Sequence, residues 1–269
     1  MWTLRAFRVG EGVQHPENVP GSHKYVAYLW PEWRRAQQEW FRAVYGRKNP
    51  YTGKKYADDP AVAIVEITNE DSLLVGWSGG AIEKLPAPHR RRLDELWTGF
   101  LRKRYPDEAA LSAAWTGGQR PGLQAGESLA IGSVAREPNS RARTELFPTR
   151  RAADLVDFYA TLEADYFQEM ATFVKRDLGF TAPTVCTTSF AVPQADRQLS
   201  ACDVVDIHPY WDPIAETTAF ADQSILQPSG RYFERISSCQ ADKPCTISEV
   251  QHSWPHRFSL EPPFSWATP

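Results

Sequence analysis

No stretch of this 269-residue chain reaches the roughly 18 consecutive apolar residues that a membrane helix needs, so no membrane partner is expected. The opening residues, Met1-Trp2-Thr3-Leu4-Arg5-Ala6-Phe7-Arg8, lack the long apolar core of a signal peptide. A charge balance of one sign is also missing. The net charge of -3 argues neither for a nucleic-acid partner, so none is expected, nor for an acidic tail. Cysteine is sparse: Cys186, Cys202, Cys239 and Cys245 contain no CxxC pair, which excludes the usual zinc spacing. Cys239 and Cys245 flank a turn-like Gln240-Ala241-Asp242-Lys243-Pro244, so a local disulfide is one reading, and four reduced, mostly buried thiols is the other. There is no internal repeat and no low-complexity tract, which leaves a globular chain.

What is present is ordinary in bulk and unusual in aromatics. A hydrophobic share of 42% with 23% charged residues belongs to a globular protein, and the length suits one large domain such as an α/β barrel or two small ones. The 10 Trp, 10 Tyr and 13 Phe either fill core or line a cleft. Indole faces stack well on the apolar faces of sugar rings.

Helical spacing marks 31–45, where Pro31 opens the segment and Trp33, Ala36, Trp40 and Val44 recur. It marks 85–100 through Leu93, Leu96, Trp97 and Phe100, then 108–115, and most strongly 150–178, which ends at a C-terminal Gly179. Residues 230–238 are weakly helical. The stretch 116–145, rich in Gly, Pro, Ser and Arg, reads as a loop. Strands are expected at 2–7, 62–68, 184–188, 203–208 and 245–249. They are short, β-branched and separated by helices, which implies parallel pairing through crossovers with both faces covered.

Polar residues gather at one end of these strands. Asn69-Glu70 follow the second, His208-Pro209-Tyr210 the fourth, and Glu249 ends the fifth. Two carboxylates on two strand ends suit acid/base and nucleophilic work on one bond, and in a (β/α)8 barrel chemistry sits at that rim.

This ordered set resembles the retaining glycoside hydrolases of clan A, cellulase-like (β/α)8 barrels with catalytic glutamates after strands four and seven. Asn49-Pro50-Tyr51-Thr52-Gly53 and Asp58-Asp59-Pro60-Ala61-Val62-Ala63 resemble the lead-in to strand four in some bacterial members. The resemblance implies Glu70 as acid/base, Glu249 as nucleophile and Asn69 on the sugar 2-hydroxyl. It implies that Tyr210 hydrogen-bonds Glu249 and that His208 lines the floor. Trp211 and Trp254, which follow the last two motifs, are the expected sugar platforms, ahead of Trp97 and Trp115. The expected activity is cleavage of β-linked glycosidic bonds in an oligo- or polysaccharide with retention, and no cofactor is required. Such chemistry needs one carboxyl protonated and one ionised at rest. The charge of one favours a proton on the other, and a hydrogen bond from Tyr210 favours the ionised form of Glu249. The family's habit of export implies a secreted or periplasmic location.

Matched to that family, the chain holds strands three to seven, with one, two and eight absent. The expected fold class is therefore α/β, an incomplete (β/α)8 barrel forming a single domain over 1–269, with a rim insertion at about 71–150. Further chain segments or a partner would complete it. A catalytically inactive, carbohydrate-binding remnant is the alternative, and an unrelated barrel hydrolase with structural glutamates a third reading. Glu66 shares the parity of Glu70 and, if buried, needs a partner such as Arg5. Asp206 shares the parity of His208 and reads as a structural acceptor. His252 and His256 lie close together, but no carboxylate or Cys completes a metal set. Arg90-Arg91-Arg92 reads as a solvated helix face.

Overall fold

The structure is a computed structural model and describes residues 12–16, 25–116, 122–136, 149–188, 200–210, 222, 224–226, 239, 242–250 and 256–261. Its elements in chain order are α1 (Val26–Leu29), α2 (Pro31–Tyr45), β1 (Val65–Glu66), α3 (Leu73–Ser78), α4 (Ala87–Arg104), α5 (Glu108–Trp115), α6 (Arg150–Thr172), β2 (Thr184–Thr188), β3 (Val204–Ile207) and β4 (Cys245–Ile247). The expected strand at 2–7 and helix at 230–238 lie outside the described residues.

Local signals explain where the helices start and stop. Pro31 sits in the first turn of α2, where its missing N–H costs nothing. Ser72, Asp107 and Thr149 each accept a backbone N–H as the N-cap of α3, α5 and α6. α6 runs on through a π-helical turn, Phe173–Asp177. It stops at Gly179, whose φ of +79° is a conformation that a side chain resists.

α6 is the spine of the core. Leu155, Phe158, Tyr159, Tyr166, Phe167 and Met170 are all buried, and each fully buried Leu or Phe contributes about 1.5–3 kcal/mol. Trp97 and Trp115 stack at 6.2 Å beside them, so both are core residues. The stripe of α2 differs from the expected one. Trp33, Gln37 and Phe41 are buried while Ala36, Trp40 and Val44 are only half-buried. Gln37 is tolerated inside because Tyr166 Oη donates to its Oε1 at 2.7 Å. The arginine run corrects another expectation. Arg90 and Arg91 are exposed, but Arg92 lies over the Trp30 ring and reaches the Leu29 carbonyl.

The sheet has four strands in the order β1-β2-β3-β4, and every pair is parallel. β1 is shorter than the predicted 62–68. Ladder hydrogen bonds nevertheless continue from Ile67 N to Val185 O and from Thr68 N to Cys186 O. β3 is buried along its whole length: Val205 and Ile207 pack with Ile247 and Cys239 on one face, and Asp206 takes the other. The fold shown is therefore mixed α/β with a parallel sheet. No described helix is long and apolar enough to cross a membrane.

All four cysteines are oxidised, which overturns the reduced-thiol reading. Cys239 pairs with Cys245, the local bridge that the turn between them allows. Cys186 pairs with Cys202, a bridge invisible in the sequence because only the pairing of β2 with β3 brings the two together.

Candidate active site

Glu70 stands where the chain leaves β1 and enters α3. Its φ is +47°, an uncommon region for a residue with a Cβ, and surrounding bonds hold it there. Thr68 N is tied to Cys186 O at 3.1 Å. Asp71 N donates to Thr187 Oγ1 at 3.0 Å and Asp71 O accepts from Tyr28 Oη at 3.0 Å. Beyond that, Glu163 on α6 accepts from Ser72 Oγ at 2.7 Å and from Leu74 N at 3.0 Å. A backbone outlier pinned on both sides is a feature that clusters at functional sites.

Three chain segments meet at this point. His208 Nδ1 lies 2.9 Å from Glu70 Oε1 and 3.6 Å from Glu249 Oε2. One atom from each of these three side chains falls within 4.8 Å of the others. The imidazole is buried at 2% side-chain exposure beneath carboxylates that are 40% and 36% exposed, so the acids face solvent above a closed floor. Tyr210 Oη donates to Glu249 Oε2 at 2.7 Å, the bond expected of it. That bond raises the Tyr210 hydroxyl to about 12. Asn69 is half-buried, and its buried Oδ1 has no hydrogen-bond partner among the described residues. Trp211, Trp254 and His252 lie outside the described residues.

Behind His208 is a network that the sequence showed only in part. Asp206 Oδ2 lies 3.0 Å from His208 Nε2 and accepts from Ser248 Oγ at 2.6 Å. Asp206 Oδ1 accepts from Thr246 Oγ1 at 2.7 Å and Ser248 N at 3.1 Å. Ser248 Oγ is itself 2.9 Å from His208 Nε2. Burial works against the Asp206 charge, but the hydrogen bonds from His208, Ser248 and Thr246 together hold its carboxyl below the usual range. Desolvation likewise opposes a charge on His208. Its bonds to Asp206 and Glu70 and the charge of Glu249 overcome that and raise the imidazole to about 9. Asp206 is thus the structural acceptor that strand parity predicts. The role of Ser248 carried no sequence signal beyond its place next to Glu249.

Glu66 is exposed rather than buried, and Arg5, the partner suggested for a buried Glu66, lies outside the described residues. The register Glu66–Val185–Val204 gives Glu66 the parity of Asp206, and partial desolvation, then the charge of Asp206, push its carboxyl up. His256 is buried against Phe258, faces Asp222 Oδ1 at 3.7 Å and accepts from Phe258 N. Glu70, His208 and Glu249 have the closeness of a metal-binding set. Both ring nitrogens face oxygens, Glu70 Oε1 on the Nδ1 side and Ser248 Oγ and Asp206 Oδ2 on the Nε2 side.

No protein-family model and no curated protein matches the chain. A solved structure described as an exo-beta-agarase superposes with a TM-score of 0.48 at 18% identity, over 84% of this chain and 27% of that one. The chain thus spans about a quarter of that protein's length, and a likeness at this level carries no weight in assigning an activity.

Proposed function

We propose that this chain is a glycoside hydrolase acting on β-linked sugars with retention of configuration, built on an arc of a (β/α)8 barrel. The observation that carries the reading is the approach of Glu70 and Glu249 to within 4.8 Å across His208. Retaining enzymes hold their carboxyls about 5–5.5 Å apart, whereas inverting ones leave about 6.5–9.5 Å for a water. Glu249, fixed by Tyr210, attacks the anomeric carbon while Glu70 protonates the leaving oxygen. Glu70 then takes a proton from the water that releases the sugar. Asn69, next to Glu70 in the chain, is assigned to the sugar 2-hydroxyl. Trp211 and Trp254 are the stacking platforms. Residues 71–150 elaborate the crossover from β1 to β2. The pair of disulfides suits an oxidising, extracytoplasmic compartment.

The test is hydrolysis of an aryl β-glycoside by the native chain, Glu70→Gln and Glu249→Gln. Each substitution should abolish turnover, and a mechanism-based fluoroglycoside should form an ester on Glu249. Unaltered turnover in either variant, or an ester on another carboxylate, sinks the assignment. Sugar binding without hydrolysis by the native chain means a carbohydrate-binding remnant.

A further inference from the structure

His208 has more hydrogen-bond partners than a residue lining a floor needs. On the Nδ1 side stand Glu70 Oε1 at 2.9 Å and Glu249 Oε2 at 3.6 Å. On the Nε2 side stand Asp206 Oδ2 at 3.0 Å and Ser248 Oγ at 2.9 Å. The Ser248 hydroxyl already donates to Asp206, so it meets the ring as an acceptor. With Glu70 ionised, every group that touches either nitrogen is an acceptor, and a neutral imidazole would turn a lone pair toward a carboxylate. The clamp behind the ring is rigid. Asp206, 2% exposed, is fixed by Thr246 and by both the amide and the hydroxyl of Ser248.

We propose that Asp206 and Ser248 hold His208 doubly protonated, and that its Nδ1 is the store from which Glu70 draws the proton it gives to the leaving oxygen. This rests on the glycosidase reading of the site. In the first half-reaction the Nδ1–H bond breaks as Glu70 Oε1–H forms, and that proton passes to the leaving oxygen as the glycosidic bond breaks. In the second half-reaction a proton from water reaches Glu70 and returns to Nδ1, so the cycle closes without net proton change. Asp206 and Ser248 are positioning residues, since neither touches Glu70. Among the described residues, the titratable groups around the ring are Asp206 on its own strand, Tyr210 beyond it, Glu249 beyond β4, and Glu66 and Glu70 from β1 and the turn after it. β2, Thr-Val-Cys-Thr-Thr, brings none, because its cysteine is bridged. The ring's rise to about 9 agrees with the double protonation that the geometry requires.

The experiment combines imidazole nitrogen NMR with the pH dependence of kcat/KM on an aryl β-glycoside, in the native chain, Asp206→Asn and Ser248→Ala. In the native chain both His208 nitrogens should carry protons at pH 7 and the ring should titrate near 9. Asp206→Asn should lower that midpoint by about 1 to 3 pH units and move the alkaline limb of the rate profile with it. Ser248→Ala should move both in the same direction by less, and it carries the test if Asp206→Asn does not fold. A neutral His208 at pH 7 overturns the proposal. So does an alkaline limb that stays in place while the ring midpoint falls, and that result leaves the glycosidase reading intact. Absence of hydrolysis by the native chain, or full activity in Glu70→Gln, overturns the glycosidase reading and the proton store with it.

Discussion

Asp206 in the sheet and Glu163 in the helical core are both buried carboxylates, at 2% and 0% exposure, and their surroundings push them in opposite directions. Glu163 meets the Ser72 hydroxyl and the amides at the start of α3. Burial outweighs those bonds, and its carboxyl rises to about 7. Asp206 meets two hydroxyls, an amide and the His208 ring, and is held below the usual carboxylate range despite burial. Desolvation acts on both. It is the stronger on Glu163, while Asp206 has a cation and one more hydroxyl, and these differences together decide the sign. The helical half uses its acid to cap a short helix and hold the turn at Glu70. The sheet half uses its acid to anchor a charged ring beneath the two glutamates.

The largest expected effects set the halves side by side. Phe158→Ala should cost about 3–5 kcal/mol in urea unfolding by opening a cavity beside α6. Asp206→Leu should cost about 3–5 kcal/mol by a different route, because it strands the His208 charge and the Ser248 and Thr246 donors. A small loss in the second would mean that the clamp is not closed in solution.

Next is the pH slope. A carboxyl raised from 4.5 to about 7 gives stability that is fully present below 4.5 and lost as pH rises through 7. The native chain should therefore lose on the order of 3 kcal/mol across that window, and Glu163→Gln should lose much less. An unchanged slope in Glu163→Gln would show that Glu163 is ionised in the folded chain. Asp206 runs the other way, its contribution being present above 3.8 and lost as pH falls through its lowered value.

The disulfides come next. Their sequence separations are 16 and 6, and loop entropy assigns about 3 kcal/mol to the longer and about 2 kcal/mol to the shorter. Serine pairs at Cys186/Cys202 and at Cys239/Cys245, compared by thermal melting, should rank in that order. Smallest is Tyr210→Phe. Losing one hydrogen bond to a carboxylate on an exposed rim should lower kcat/KM about tenfold with little change in melting temperature.

Much of this could be read before any coordinates. The helices at 31–45 and 108–115 appear with those bounds. Those at 85–100 and 150–178 shift by a few residues, because side-chain periodicity locates a face better than an end. The convergence of Asn69-Glu70, His208-Pro209-Tyr210 and Glu249 was also legible, since each follows a β-rich run. The stripe of α2 was read one position off, because Gln37 is polar in composition and buried only once Tyr166 supplies its hydrogen bond. The helix α3 was missed because it is short and its start is also held by Glu163, 91 residues from Ser72.

The sequence by itself determined the local matters: which segments coil or extend, where caps and a C-terminal glycine end them, and which polar residues stand at strand ends. Those follow from backbone sterics and from interactions within a few residues. Tertiary structure decided the Cys186–Cys202 pairing, the burial of Gln37 and Glu163, and the charge on His208. Each of these depends on what a distant strand or helix brings within about 3 Å, the range at which a hydrogen bond or the loss of water fixes where a proton sits.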